Sequence, residues 1–148
     1  MKQTEILLVE DNPADLKMTL HALRSGKVAN RIQIVRDGAE ALEFIFCEGA
    51  FAARKMTDGP KLILLDLKLP KVDGLEVLAR IKADPSTRKI PVVILTSSKE
   101  QSDLARSYDL GVNSYIVKPV NFEAFAKAVQ DLEMYWLLLN EPPTLEPT

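Results

Sequence analysis

Glu10 and Asp11 close the apolar run Ile6-Leu7-Leu8-Val9, and Asp66 closes Leu62-Ile63-Leu64-Leu65. Two more runs end on groups of complementary chemistry: Val92-Val93-Ile94-Leu95 on the hydroxyl of Thr96, and Tyr115-Ile116-Val117 on Lys118-Pro119. If the first two runs are neighbouring strands of one parallel sheet, about 4.8 Å apart, three carboxylates converge on a small region at its carboxyl edge. Left unneutralised, that cluster repels itself and pushes a carboxyl toward its protonated form. A hard divalent cation with oxygen ligands relieves the repulsion. Mg2+, held by one or two carboxylates, water and a phosphate oxygen, is the expected match. With metal on one side and hydroxyl and ammonium on the other, Asp66 stands as a carboxylate nucleophile for a phosphoryl group. Any one of these acids alone reads as an ordinary solvated strand end or loop cap. Their joint placement with Thr96 and Lys118 carries the chemistry.

The elements that must position these groups are legible as alternating short apolar runs and longer helical stretches, the pattern of βα repetition. The first, third and fourth runs are apolar throughout, as expected for strands covered on both faces. Ile32–Val35 and Tyr115-Ile116-Val117 are interrupted or shorter and read as edge strands. The first helix opens with Asn12 as N-cap and Pro13 at the first helical position, buries Leu16, Leu20 and Leu23, and stops at Ser25-Gly26. The second spans residues 38–47, with Ala41, Leu42, Ile45 and Phe46 inward. The third spans 74–83 and buries Leu75, Leu78 and Ile81. The fourth, over 100–110, is sparsely apolar, and its anchors are expected to be Leu104 and Tyr108. The fifth starts at the N-cap Asn121 and carries Phe125, Val129, Leu132 and Trp136 on one stripe. Such a (βα)5 chain closes as an α/β, doubly wound, flavodoxin-like parallel sheet of order 2-1-3-4-5, with its site outside the strand carboxyl ends.

Composition narrows the classes further. The chain has 148 residues, 47% hydrophobic and 27% charged, with Lys+Arg 19 against Asp+Glu 21 and a net charge of −2. That balance fits one globular domain and gives no electrostatic footprint for nucleic acid. The apolar run 134–139 is far short of the ~20 residues of a bilayer span. With no signal-peptide pattern at the start, a cytoplasmic location is expected. A single cysteine, Cys47, and a single histidine, His21, exclude a disulfide, a cysteine-based zinc site and histidine-cluster metal chemistry. His21 reads as a surface or packing residue rather than a phosphodonor, and Cys47 as packing. Residues 1–139 are expected to form the domain and 140–148, with three prolines, a mobile end too short for an output domain.

The segments Ile6-Leu7-Leu8-Val9-Glu10-Asp11-Asn12, Leu64-Leu65-Asp66-Leu67-Lys68-Leu69-Pro70 with Asp73-Gly74, Val93-Ile94-Leu95-Thr96-Ser97, and Lys118-Pro119 together resemble the receiver domain of two-component response regulators. The resemblance covers residues 4–135. It implies that Asp66 accepts a phosphoryl group from a phosphohistidine of a sensor histidine kinase. It also implies that Glu10, Asp11, Asp66 and the backbone carbonyl of Lys68 hold Mg2+. Lys118 would pair with the phosphoryl group, and Thr96, followed by the small Ser97, would move to hydrogen-bond it. Tyr115 matches the switch aromatic, whose ring moves inward with that threonine. Lys68 and Ser98 match positions that tune dephosphorylation, and the Lys118–Pro119 bond is expected to be cis. Signalling would be a population shift of the face made by the fourth helix, fifth strand and fifth helix.

Residues 49–59 and the long aromatic C-terminal helix also resemble the small single-domain regulators that partner phytochrome-type histidine kinases. Six consecutive apolar residues, 134–139, surround a helix. They must therefore meet a second surface, either residues 49–59 or, as favoured, a second copy of the chain through Tyr135, Trp136 and Leu138. The main reading is a stand-alone response regulator that catalyses only its own phosphorylation and dephosphorylation. Alternatives are a phosphorelay intermediate, a phosphate sink or a phosphorylation-independent binding module. A dehalogenase-type phosphatase would need an acid where Lys68 stands. A flavodoxin would need a Ser/Thr/Gly-rich phosphate loop where residues 10–15 are acidic.

Overall fold

The computed structural model of the chain describes residues 4–26, 31–118 and 121–140. Five strands, β1 (Ile6–Val9), β2 (Ile32–Val35), β3 (Leu62–Leu65), β4 (Val92–Thr96) and β5 (Ser114–Val117), alternate with the helices α1 (Pro13–Gly26), α2 (Gly38–Ile45), α3 (Gly74–Ala83), α4 (Gln101–Asp109) and α5 (Phe122–Met134). All strand pairs are parallel and the order is β2-β1-β3-β4-β5, as expected. Every residue of β1, β3 and β4 is buried. Their side chains alternate between two cores because successive residues of a strand point to opposite faces. Leu7, Val9, Ile63, Leu65 and Ile94 meet Phe44, Ile45, Leu78 and Ile81 of α2 and α3. Ile6, Leu8, Leu62, Leu64 and Val93 meet Leu16, Leu23, Phe125 and Val129 of α1 and α5.

Asn12 caps α1 by accepting the N–H of Asp15 at 3.0 Å, and Asn121 caps α5 by accepting that of Ala124 at 3.1 Å. Three local expectations are corrected. Helix α2 ends at Ile45 rather than at residue 47, because Cys47 turns the chain through a left-handed φ of 56°. Tyr108 does not anchor α4: it is 53% exposed and Leu104 is half-buried, whereas Asp103 and Ser107 face inward. The fifth helix does not continue unchanged, since residues Tyr135–Leu139 form a π-helical turn.

The structure removes one of the two surfaces offered to that turn. Residues 49–59 hold two short 3-10 turns, with Phe51 edge-on against Phe44 of α2 at 5.0 Å. Arg54 lies 4.2 Å over the Phe44 ring and donates to the Phe44 carbonyl at 2.8 Å and the Asp58 carbonyl at 2.9 Å. A cation thus satisfies carbonyls at the C-terminal end of α2. Trp136 and Leu137 pack on the opposite core, beside Leu132. Residues 49–59 therefore do not cover the end of the fifth helix, and Tyr135, Leu138 and Leu139 stay exposed. The Lys118–Pro119 peptide bond involves a residue outside those described.

One glycine sets how closely α3 approaches the loop carrying Asp66. A Cβ at Gly74 would lie 2.4 Å from the Asp66 carbonyl oxygen and 2.5 Å from Leu67 Cα. Gly74→Ala is expected to destabilise the fold by about 1–3 kcal/mol, read as a lower urea midpoint at an unchanged slope.

Candidate functional site

Register delivers the acids to the sheet edge. Val9 of β1 lies opposite Leu65 of β3, so Glu10 and Asp66 emerge side by side one residue later. The Asp66 N–H donates to the Val9 carbonyl at 3.1 Å and the Glu10 N–H to the Val35 carbonyl at 3.1 Å, which keeps both residues on the ladder. Thr96 lies opposite Val117, and the Lys118 N–H donates to the Thr96 carbonyl at 2.7 Å. Glu10, Asp66 and Thr96 are buried. Asp11, the next residue out, is exposed.

At the centre is the ammonium of Lys118. Its Nζ lies 2.5 Å from Glu10 Oε1, 2.8 Å from Asp15 Oδ2 and 3.2 Å from Asp66 Oδ2. Three carboxyl groups share one ammonium, and the excess charge shows in their protonation. Burial, opposed in part by Lys118 and reinforced by the neighbouring Asp66 charge, pushes Glu10 up to about 7. Burial raises Asp66 too. Hydrogen bonding to Glu10, the Lys118 charge and the Thr96 hydroxyl outweigh it and hold Asp66 below the usual carboxylate range. Lys118 is lifted above the ordinary lysine value: burial lowers it, and its bonds to Asp15 and Glu10 more than compensate. With no metal bound, burial therefore favours the proton on Glu10 rather than on Asp66.

The remaining sequence candidates line the rim. The Lys68 N–H donates to Asp66 Oδ1 at 3.4 Å, which sets the backbone of Lys68 against Asp66. Thr96 Oγ1 accepts the N–H of Ser98 at 3.3 Å, and the Tyr115 hydroxyl donates to the Ser98 carbonyl at 3.1 Å. Tyr115 packs against the α2/α3 core rather than pointing to solvent. His21 is an exposed residue whose ring centroid lies 6.0 Å from that of Phe122, a packing contact.

Two residues of the site were missed by sequence reasoning. Asp15 had been noted only as part of an acidic stretch. An acid in the first turn of a helix ordinarily serves the helix dipole, and only its spacing of four from Asp11 hinted at a shared face. Asp103 sat in a helix read for its apolar residues, yet its Oδ2 accepts the Ser98 hydroxyl at 2.6 Å and pairs with Lys68 Nζ at 3.4 Å.

The donor set suits a hard cation. It is all oxygen, it carries more negative charge than Lys118 balances, and Asp11, next in the chain to Glu10, is exposed. No group of three or more His, Cys, Asp or Glu is gathered as a metal cage among the described residues. A bound cation would therefore need backbone oxygen and water as well, the habit of Mg2+-like ions. No helix among the described residues is long and apolar enough to cross a membrane.

Comparison with known proteins identifies the family. The model of the response regulator receiver domain matches residues 6–130. The probable methanogenesis regulatory protein FilR2 of Methanothrix harundinacea (strain 6Ac) is 44% identical over 139 residues, covering 93% of this chain and 86% of that protein. Response regulator Rcp1 of Synechocystis sp. (strain ATCC 27184 / PCC 6803 / Kazusa) is 43% identical over 132 residues, 89% of this chain and 88% of that one. The crystal structure of its Mn2+-bound form superposes with a TM-score of 0.86 over 95% of this chain and 99% of that one, at 41% identity. The phosphorylated cyanobacterial phytochrome response regulator RcpA gives a TM-score of 0.87 at 44% identity, over 95% and 99% of the two chains.

The raised Glu10 carboxyl generates a test on metal-free protein. An acid whose folded value lies above its unfolded one binds more protons when folded, so its ionisation erodes stability as pH rises from about 4.5 to about 7. In the presence of chelator, Glu10→Gln is expected to be more stable than wild type above pH 7, by roughly 1–3 kcal/mol. Urea titrations across pH should show the two proteins converging below about pH 4.5.

Proposed function

From the premise that the chain belongs to the response regulator receiver domain family, we propose that it takes a phosphoryl group from a phosphohistidine of a sensor histidine kinase onto Asp66. The observation that carries this reading is the Lys118 ammonium at 3.2 Å from an ionised, buried Asp66 carboxylate at the open edge of the sheet. An oxygen of Asp66 attacks phosphorus, the P–N bond breaks, and the imidazole leaves with the bonding pair and takes a proton from solvent. Asp66 is poised for this because the Lys118 charge and hydrogen bonds from its neighbours hold its carboxyl below the usual carboxylate range. Lys118 then pairs with the phosphoryl oxygens, and Thr96, buried one strand away, turns its hydroxyl from the Ser98 N–H toward them. Glu10, Asp11, Asp66 and the Lys68 carbonyl would hold Mg2+, which when bound supplies charge neutralisation for the transferring oxygens. The chain catalyses its own phosphorylation and dephosphorylation and turns over no separate substrate.

Movement of Thr96 frees its bond to Ser98, and Ser98 carries the Tyr115 contact, so the change passes into β5 and α4. The α4-β5-α5 face is the output surface. The likeness to Rcp1 and RcpA supports a phytochrome-type kinase as donor. At the end of α5, Tyr135 is 49% exposed and Leu138 64%, with Leu139 beside them. This apolar rim supports self-association of two chains. Trp136 contributes less than its sequence position suggested, because it packs on its own core.

Intact-mass spectrometry after incubation with acetyl phosphate tests the acceptor. Wild type should gain one phosphoryl group only with Mg2+, and Asp66→Asn none; labelling of the variant at wild-type stoichiometry would refute the assignment. Sedimentation velocity tests the rim: Leu138→Glu should shift a dimer toward monomer, and a wild type that stays monomeric at all concentrations would dispose of the pairing.

A further inference from the structure

Helix α4 is attached to the molecule through polar atoms. Its inward side chains are Asp103, 8% exposed, and Ser107, fully buried, and none of its residues joins either apolar cluster among the described residues. The Ser107 hydroxyl is spent on the backbone carbonyl of Asp103 at 2.7 Å. Asp103 reaches from α4 toward the loops that follow β4 and β3. Its Oδ2 accepts the Ser98 hydroxyl at 2.6 Å and lies 3.4 Å from the Lys68 ammonium. Ser98 stands two residues after Thr96, and Lys68 two residues after Asp66. One carboxylate on α4 thus holds both loops that flank Asp66.

We propose that Asp103 is a positioning residue for the chemistry at Asp66: it parks the Lys68 ammonium on α4, away from the open side by which water reaches a phosphorylated Asp66. The proposal rests on Asp66 as the phosphoryl acceptor. The Lys68 side chain starts beside that acceptor, because its own N–H donates to Asp66 Oδ1 at 3.4 Å. It is 61% exposed, so its place is fixed by charge rather than by packing. The Ser98 hydroxyl holds the opposite partner still, and together with Lys68 it keeps the Asp103 carboxyl below the usual range. Phosphoryl oxygens on Asp66 would offer the same ammonium a second anion, and an exposed ammonium exchanges partners readily.

The consequence falls on hydrolysis. A water oxygen attacks phosphorus opposite the Asp66 oxygen, the P–O bond to Asp66 breaks, and the carboxylate leaves with the bonding pair. The water releases a proton to solvent, and inorganic phosphate departs. A Lys68 released from Asp103 pairs with the phosphoryl oxygens on the open side, obstructs that line of attack and lengthens the life of the acyl phosphate. Retention on Asp103 keeps the lifetime short and ties it to the position of α4.

The test is a double-substitution cycle on phosphoryl lifetime. Full-length wild type, Asp103→Asn, Lys68→Met and the double variant are phosphorylated with acetyl phosphate and Mg2+, desalted, and followed by intact mass. Asp103→Asn keeps an acceptor for Ser98 and removes the charge that holds Lys68. It should lengthen the lifetime about threefold or more where Lys68 is present and leave it unchanged in the Lys68→Met background. Ser98→Ala, which loosens Asp103 by another route, should act in the same direction. An equal change in both backgrounds, as a purely structural role for Asp103 would give, overturns the proposal, as does a shortened or unaltered lifetime. A wild type that takes up no phosphoryl group, or an Asp66→Asn that does, overturns the acceptor assignment instead and is seen before any lifetime is measured.

Discussion

The contact on which the site depends is the insertion of one ammonium among carboxyl groups from three separate elements. Lys118 follows β5, yet its charge settles beside Asp66 at the end of β3, with β4 lying between them. It also meets Glu10 from the end of β1 and Asp15 from the first turn of α1. Taking these charges out of water costs several kcal/mol per ion in typical proteins, and mutual attraction returns only part of that. The cluster is therefore not what makes the fold stable. It is tolerated because the two apolar faces of the sheet supply the stability, and its geometry is held by the strand ladders beneath it.

That division explains which parts of the molecule are rigid. β1, β3 and β4 are buried throughout, and α1, α2, α3 and α5 each deliver a row of apolar side chains to one of the two cores. α4 is the exception, with a carboxylate and a hydroxyl facing inward. Apolar packing is short-ranged and insensitive to charge, whereas a polar attachment responds to any new charge nearby. A helix held to the Asp66 edge through Asp103 and Ser98 is thus suited to register what happens there. Tyr115, bonded to the Ser98 carbonyl and packed on the core, links the same loop to β5.

The two segments beyond the minimal fold have different physical roles. Residues 49–59 are fastened to α2, with Arg54 stacked on Phe44 and bonded to the helix-end carbonyls. They complete one face of the molecule and stand apart from the acid cluster. The π-helical turn after α5 changes the angular spacing of its side chains, so that Trp136 and Leu137 reach the core while Leu138 and Leu139 face outward.

The strand runs, their order, and the gathering of Glu10, Asp66, Thr96 and Lys118 at one edge were legible in the sequence. Each follows from local periodicity and from the fixed geometry of parallel ladders, which carry a residue one place beyond a strand to a known spot. The excess of acid was legible too, down to the protonation it forces. Which carboxyl takes the proton was not, because that depends on burial and on the distances to Lys118. Asp15 and Asp103 escaped for a related reason: an acid in the first turn of a helix has an adequate local explanation, and only packing shows that it meets a cation from elsewhere. The inward face of α4 was misjudged because helical periodicity finds apolar stripes and is blind to polar ones. Sequence by itself determined the sheet and the chemical character of its edge, since those rest on neighbours along the chain. Tertiary structure alone decided the charge pairing, the hold on α4 and the surface left bare at the end of α5, since those rest on contacts between residues far apart in sequence.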